Sequence, residues 1–261
     1  MSQKRQSPPV ASAHRTCAVI TSFTRDYAPG HAVAPHLHRR DQLVFAARGV
    51  MTVGAKAGSW VVPTNRAVWI PAGMRHGITM CGAVAMRTLY FHAGMARGMP
   101  RKCAVVNVSP LLRELILRAC GSGSLSRRVR RQRHLIDVIL DQLETIQTIP
   151  LRLPNPTDPR ALRVAAVLIG EAAEAETLER ICALAGASKR TVERLFQHEV
   201  GMSVGKWRQQ LRLLRAMQLL AQGAKVTHAA LEAGYSTPSA FISMFRRTLG
   251  STPAAYFRAG G

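Results

Sequence analysis

Aromatic and acidic residues are both scarce in this chain of 261 residues. Only 5% of the residues are aromatic although 47% are hydrophobic, so aliphatic side chains must fill most of the core. Asp and Glu number 14 against 36 Lys and Arg, which gives a formal net charge of +22 at pH 7. That excess favours a polyanionic partner, because each phosphate that a cation neutralises releases counterions. The arginine-rich protein composition that a GC-rich genome encodes produces the same excess, so the charge alone does not locate a binding surface.

The five cysteines form no pattern that predicts a disulfide framework or a zinc site. They are odd in number and include no Cys-x-x-Cys pair, which favours a reducing compartment. The chain lacks the run of about 18 apolar residues that a membrane span needs, and residues 1–14 lack the apolar core of a signal peptide. We therefore expect a cytoplasmic protein with no membrane partner and a disordered segment at residues 1–14.

Short apolar runs separated by turn residues fill the first half of the chain. Such close spacing of short strands is typical of a small antiparallel barrel, which we place at residues 15–109. The predicted strands are Cys17–Phe23, Gln42–Ala47, Val50–Val53, Ser59–Val62, Ala67–Ile70, Gly77–Met80 and Val84–Phe91.

From Pro110 onward the hydrophobic period becomes that of a helix. Residues 110–149 predict two helices that either pack on the barrel or form a dimer interface. Residues 150–160 read PLRLPNPTDPR, and four prolines in so short a stretch exclude a continuous helix, so this is the predicted linker. Everything beyond it reads as helix. The sequence therefore predicts an α+β protein of two domains, a β-barrel with helices followed by an all-α domain.

The last eighty residues contain an internal repeat at an offset of 49. Each unit has a short apolar helix, a turn with glycine, and a second helix that begins at a polar cap and ends at a glycine. This order predicts two helix-turn-helix units, at residues 178–200 and 226–249. The matching pairs are Ile181 with Ala230, Val192 with Phe241, Leu195 with Met244, Phe196 with Phe245, Val200 with Leu249, Gly201 with Gly250 and Ser203 with Thr252.

A single helix, Ser203–Ala221, is predicted between the two units. At about 1.5 Å per residue it would span roughly 28 Å, close to the 34–36 Å of one turn of DNA. A rigid helix of this length would place two recognition helices in successive major grooves. The competing interpretation is a plain helical bundle.

Two long segments resemble one family of bacterial regulators. GYSTPSAFISMFRRTLGSTPAAYFR resembles the C-terminal signature of the AraC/XylS family, and LERICALAGASKRTVERLFQHEVGMSVGKWRQQLRLLRAMQLL resembles that family's first helix-turn-helix and connecting helix. The resemblance covers roughly residues 160–258. It implies a DNA-binding domain at 161–258 that binds double-stranded DNA, a homodimer, and contact with RNA polymerase if the protein is an activator.

Helical spacing selects the residues that would face DNA. In the first recognition helix, Arg190, Glu193 and Arg194 lie opposite the apolar face, and the repeat assigns Ser239, Ile242 and Ser243 to the second. Arginine can donate to both O6 and N7 of guanine, and glutamate can accept from N4 of cytosine. The remaining candidates are the two caps, Ser188 and Thr237, and three cations that would contact phosphates or simply be solvated, Lys189, Arg246 and Arg247.

Histidines mark the first half of the chain. GHAVAPHLHRRDQLVFAARG, at residues 30–49, resembles the first motif of cupins, with His36 and His38 at the histidine positions and Gln42 in place of the usual glutamate. The second motif resembles residues 71–76, which end in His76, while Met80 replaces its usual asparagine. Alternate residues of a strand face one side, so His36 and His38 should point together into the barrel.

Two interpretations of this set stay open. The resemblance implies a pocket for a small-molecule effector, lined by His36, His38, Gln42, His76 and Trp69. It also allows a divalent metal such as Zn, Fe or Mn at the three histidines, with Gln42 as a neutral fourth ligand.

The predicted function is therefore a DNA-binding transcription regulator, not an enzyme, that responds to a small molecule. One rival is a metal-dependent cupin enzyme with a DNA-binding tail, although the two replaced motif residues count against it. The other is a constitutive DNA-binding protein whose barrel serves only as a dimerisation scaffold.

Overall fold

The computed structural model describes residues 18–149, 151–170 and 176–258. The predicted disordered segment at residues 1–14 lies outside these ranges. Two compact units are present: the first comprises the chain up to Ala55, Trp60–Leu151 and the residues from Ala254, and the second comprises Lys56–Ser59 and Arg152–Pro253. The division falls inside the predicted linker. Among the described residues, no helix combines the length and hydrophobicity that crossing a membrane requires.

The first unit is built from antiparallel strands and two helices. Helix α1 is Pro110–Ser122 and helix α2 is Arg130–Glu144. The strands are β1 Ile20–Tyr27, β2 Ala32–His36, β3 Arg40–Ala55, β4 Gly58–Val62, β5 Arg66–Ile70, β6 His76–His92, β7 Ala104–Asn107, β8 Ser124–Leu125 and β9 Thr148–Ile149. The sheet runs β8-β1-β6-β3-β5-β7-β9, with β2 also paired to β6 and β4 to β3.

Strands β3 and β6 form the centre of this sheet, and their pairing is interrupted by a bulge between Ala46 and Val50. Gly49 lies in this bulge at φ 81°. A Cβ atom added there would lie 2.2 Å from the carbonyl oxygen of Ala83, so both the backbone angle and the close approach require glycine. The hydrophobic pattern had predicted two shorter strands in place of each of them.

The two faces of the sheet have different roles. One face packs against α1 and α2, which bury their apolar sides on it and complete the main hydrophobic core. The opposite face carries Gln42 and Tyr90, which are directly paired in register. Core members from the sheet are Leu43, Phe45, Ala67, Trp69, Leu89 and Phe91, and those from the helices are Leu112, Ile116, Ala119, Ile136, Ile139 and Leu143.

The two-domain architecture is confirmed, but the sheet is not a closed barrel. Its terminal strands β8 and β9 pair with β1 and β7 respectively, and in the described part of the chain they do not pair with each other. The helices explain why closure is unnecessary: α1 and α2 already cover one face, so that face is buried without the sheet curling fully around it.

The second unit is helical apart from a short strand, β10, at Arg152–Pro154. Its helices are α3 Pro159–Ile169, α4 Leu178–Leu184, α5 Lys189–Leu195 with a π-helical continuation at Phe196–Val200, α6 Val204–Ala221, α7 Val226–Glu232 and α8 Pro238–Leu249. A last helix, α9, spans Pro253–Arg258, and its residues from Ala254 belong to the first unit.

Trp207 on α6 organises the first half of the helical unit. Its side chain is fully buried, and its ring lies 5.7 Å from that of Phe196 in an edge-to-face arrangement. The indole Nε1–H donates to the carbonyl oxygen of Pro154 at 2.8 Å. Glu199 acts in the same region, since its carboxylate accepts from the backbone N–H groups of Thr157 and Asp158. The proline-rich stretch is therefore fixed to the helical unit.

The predicted caps and stops of the two repeats are confirmed. Ser188 accepts from the N–H of Thr191 at the start of α5, and Thr237 accepts from the N–H of Ala240 at the start of α8. Gly201 and Gly250 end the corresponding helices with φ of 75° and 83°, a conformation that favours glycine.

One detail of the predicted repeat is wrong. In the first helices the offset is 48, because the turn N–H of Ala187 donates to Cys182 and that of Tyr235 donates to Ala230. Cys182, not Ile181, is therefore the counterpart of Ala230. The second unit has one more residue in its turn, which shifts the offset to 49 from the caps onward.

Candidate DNA-reading helices and a histidine cluster

Helix α5 presents two exposed arginines. Arg190 and Arg194 are exposed, and Val192 and Phe196 on the opposite side are fully buried. The Ser188 cap fixes where the helix begins. The exposed arginines lie four residues apart and therefore share one face of the helix. This is the arrangement that a helix needs to place two guanidinium groups against base edges.

The other predicted residues of α5 have partners inside the unit. Lys189 forms an ion pair with Glu179 of α4 at 2.8 Å. The half-buried Glu193 accepts from the backbone N–H of Val204 at 3.1 Å, at the first turn of α6. A carboxylate there satisfies one of the free N–H groups at the N-terminus of that helix. The structure thus directs Glu193 towards α6, which the pattern of α5 alone did not reveal.

Helix α8 offers a less polar surface. Ser239 and Ser243 are exposed, Ile242 is half-buried, and Arg246 and Arg247 in the last turn are exposed. Phe241 and Phe245 hold the helix in the core with rings 5.8 Å apart. Two hydroxyls and a branched alkyl group give few hydrogen bonds to bases, whereas the two terminal arginines suit phosphate oxygens.

Helix α6 joins the two helix-turn-helix units without a break. Its 18 residues begin at the Ser203 cap and span about 27 Å at 1.5 Å per residue. Seven of them are buried. A long, packed helix of this kind fixes the separation of the two helix-turn-helix units.

The histidine cluster lies where the end of β2 meets the start of β6. His36 is the last residue of β2 and pairs in register with His76, the first residue of β6. His38 follows two residues later, with the exposed Leu37 between them pointing away. The ligand nitrogens of His36, His38 and His76 all lie within 4.8 Å of one another. The structure therefore brings together the three histidines that the sequence selected.

Backbone carbonyls fix the proton on two of these rings. Nδ1 of His36 lies 2.8 Å from the carbonyl oxygen of Ala34, and Nδ1 of His76 lies 2.9 Å from that of Met74. A carbonyl can only accept, so in the neutral rings each Nδ1 carries the hydrogen and each Nε2 keeps its lone pair. Within the described chain, the buried Nε2 atoms of His38 and His76 have no hydrogen-bond partner.

The surroundings favour the neutral form of two of these rings. Burial, together with the neighbouring His36 and His76, lowers the pKa of His38 to about 4. Burial also lowers the pKa of His76, against a smaller opposite effect of its hydrogen bond to Met74. Near neutral pH, His38 and His76 are therefore uncharged imidazoles.

Gln42 and Tyr90 continue the cluster on the same face of the sheet. Nε2 of Gln42 donates to the hydroxyl of Tyr90 at 3.3 Å, and the ring of Tyr90 lies 5.0 Å from that of His38. Oε1 of Gln42 is buried and has no partner among the described residues. Burial raises the pKa of Tyr90 to about 12. Sequence reasoning missed Tyr90, because only its pairing with Gln42 reveals its position.

Trp69 does not belong to this cluster. It pairs in register with Leu43, one residue away from Gln42, so strand alternation places it on the opposite face. Its side chain is buried in the core beside α1 and α2, and Nε1 donates to the carbonyl oxygen of Pro100 at 3.1 Å. Its predicted contribution to the pocket is not supported by the structure, and a one-residue difference in register is the reason.

Comparison with known proteins agrees with this division. A family model described as an AraC-like ligand binding domain matches residues 21–148, and one described as a helix-turn-helix domain matches residues 181–259. The chain is 34% identical over 221 residues to the HTH-type transcriptional regulator NimR of Escherichia coli, covering 85% of this chain and 81% of NimR.

Solved structures give weaker overall likenesses. ToxT from Vibrio cholerae matches with a TM-score of 0.37 and 10% identity, covering 92% of this chain and 98% of ToxT. The DNA-binding domain of AdpA, solved in complex with a target DNA, matches with a TM-score of 0.32 and 34% identity, covering 40% of this chain and 93% of that domain. The chain belongs to the AraC family of HTH-type transcriptional regulators.

Proposed function

We propose that this regulator reads an operator of two subsites, about one turn of DNA apart, and that a ligand at the histidine cluster controls its binding. The observation that carries the proposal is the continuous helix α6 between two capped helix-turn-helix units. Its length of about 27 Å suits recognition helices in successive major grooves of one DNA face.

Arg190 and Arg194 are the proposed base readers of the first subsite. Both are exposed, and arginine pairs most specifically with guanine. Glu193 is assigned a positioning role, because its carboxylate already accepts from Val204. Lys189 would contact phosphate only by exchanging its ion pair with Glu179, an exposed pair that costs little to break.

The second subsite is read with fewer hydrogen bonds. Ser239 and Ser243 supply hydroxyls, Ile242 supplies an apolar contact such as one to a thymine methyl, and Arg246 and Arg247 bind phosphates. We therefore expect the first subsite to be the more stringent of the two.

The histidine cluster is the proposed effector site, and its donors fit a divalent transition metal. Three nitrogens bound to one tetrahedral ion at about 2.1 Å lie about 3.4 Å apart, so from separations of up to 4.8 Å the ring nitrogens would have to approach one another by at most about 1.4 Å. Nδ1 of His36 and His76 donates to the carbonyls of Ala34 and Met74, which leaves the Nε2 lone pairs of these rings available to a metal. Metal-bound histidines commonly make such hydrogen bonds through their other nitrogen. When bound, the ion would supply a Lewis-acidic centre to which an effector can attach.

Homodimerisation and contact with RNA polymerase complete the proposal. Helices α1 and α2 bury one side on the sheet, yet Leu111 and Val138 on them are 52% and 39% exposed. These helices are where we place the dimer contact. Ligand binding would alter dimerisation or the docking of the two units, and through them the affinity for DNA or the contact with polymerase.

The test compares Arg194→Ala with Arg97→Ala, which removes an equal charge from an exposed position of the first unit. Each full-length variant is titrated against an operator obtained by selection from random DNA. We expect Arg194→Ala to lose about 1–3 kcal/mol and to relax the preference at one base pair, and Arg97→Ala to bind like the wild type. Equal weakening by both variants, with base preference unchanged, would refute base reading by α5.

A further inference from the structure

Among the described residues, no carboxylate takes part in the histidine cluster. The described groups that converge there are the imidazoles of His36, His38 and His76 and, on the adjoining strand, the amide of Gln42. The nearest acid in sequence, Asp41, is buried and already accepts from the backbone N–H groups of Ala72 at 2.8 Å and Gly94 at 2.9 Å. Every ligand atom available to a metal ion at this site therefore belongs to a neutral group.

Neutral donors leave the charge of a divalent ion uncompensated. Keeping a charge away from water without a counter-charge is costly, and the cluster is partly enclosed, with His76 buried and His36 and His38 half-buried. Three imidazoles also leave coordination positions open, because tetrahedral ions accept four ligands and others accept more. An anion that fills such a position both completes the coordination and neutralises the site.

The arrangement around Gln42 favours such a ligand. Its Nε2 donates to the hydroxyl of Tyr90, so the hydroxyl oxygen is used as an acceptor and its own hydrogen remains available. A phenol hydrogen at this position can donate to a second oxygen of a bound carboxylate. The imidazoles of the cluster present nitrogen lone pairs, so the Tyr90 hydroxyl supplies the hydrogen-bond donor that a bound anion requires.

We propose that the effector site takes a small anion, such as a carboxylate, bound directly to a divalent transition metal at His36, His38 and His76, and that the neutral Gln42 creates this preference. The inference rests on the metal site proposed above. It assigns the neutral amide at position 42 a role in choosing the charge of the ligand.

The experiment uses the full-length protein with Co²⁺ as the metal probe and azide as the anionic probe. Visible absorption of bound Co²⁺ reports its ligands, and His76→Ala identifies the binding that depends on the cluster. We expect azide to change the Co²⁺ spectrum saturably and neutral imidazole to do so more weakly. Gln42→Glu should tighten Co²⁺ binding and weaken azide binding by about tenfold or more, because the added carboxylate supplies the missing negative charge.

Two further variants separate charge from structure. Gln147→Glu makes the same chemical change at an exposed position and should leave both affinities unchanged. Gln42→Met removes the amide without adding charge and should keep azide binding. If Gln42→Glu does not fold, the comparison of azide with imidazole on the wild type, together with Gln42→Met, decides the question.

Failure of the metal site and failure of the anion preference give different results. Absence of Co²⁺ binding that depends on His76 would overturn the metal site and this inference with it. Cluster-dependent Co²⁺ binding with no response to azide, or with azide affinity equal in the wild type and Gln42→Glu, would overturn the inference alone and leave the metal site standing.

Discussion

Replacing Glu193 by alanine separates two roles that a carboxylate on a recognition helix can have. Its Oε2 accepts from the N–H of Val204 at 3.1 Å, while the Ser203 hydroxyl accepts from the N–H of Lys206. Together they satisfy two of the four N–H groups that the first turn of α6 leaves without intrahelical partners. Loss of one capping acceptor typically costs about 1 kcal/mol, with a range of about 0.5–2.

For a helical unit of this size, a loss of about 1 kcal/mol lowers Tm by about 4–8 °C. We therefore expect Glu193→Ala to lower the thermal transition of the helical unit by that amount, followed by far-UV circular dichroism of the full-length protein. Its preferred operator, determined by selection from random DNA, should keep the same bases. Arg194→Ala is the matched comparison, with unchanged stability and an altered preference. An unchanged Tm with a relaxed base preference for Glu193→Ala would show that the carboxylate reads DNA and does not cap α6.

Two further predictions concern the contacts that Pro154 and Asp158 of the proline-rich stretch make. Trp207→Phe keeps most of the buried ring but leaves the Pro154 carbonyl oxygen without its donor at 2.8 Å, so urea denaturation should show a loss of about 1–3 kcal/mol; an unchanged midpoint would contradict this. The side chain and backbone N–H of Arg160 lower the pKa of Asp158 to about 2, so its stabilisation is present above the unfolded pKa near 4 and is lost as pH falls towards 2. Asp158→Asn should therefore lose stability less steeply between pH 4 and 2, while a slope equal to that of the wild type would contradict the assignment.

Local chemistry predicted the helical unit well. Ser188, Thr237, Gly201 and Gly250 each have a conformational preference that depends only on neighbouring backbone, so caps and stops were correct without tertiary information. The hydrogen bond between Glu193 and the Val204 N–H was not predictable in this way, because Val204 comes close only when α5 and α6 pack together.

The first unit was predicted less completely. His36, His38 and His76 were identified because a motif places them, and the structure brings them together. Trp69 was assigned to the wrong face, because no sequence pattern shows that it pairs with Leu43. Short strands such as β2 and β7 were missed, since neither carries a long apolar alternation. The open sheet was missed because helices α1 and α2 complete its core from later in the chain.

We propose that two helix-turn-helix units, held apart by α6, read two subsites on one face of DNA, and the decisive experiment is selection of binding sites from random DNA with the purified full-length protein. We expect a motif of two subsites centred about one turn, or 10–10.5 base pairs, apart, with the first weakened in Arg194→Ala. Binding that is sensitive to salt but shows no preferred sequence would contradict it.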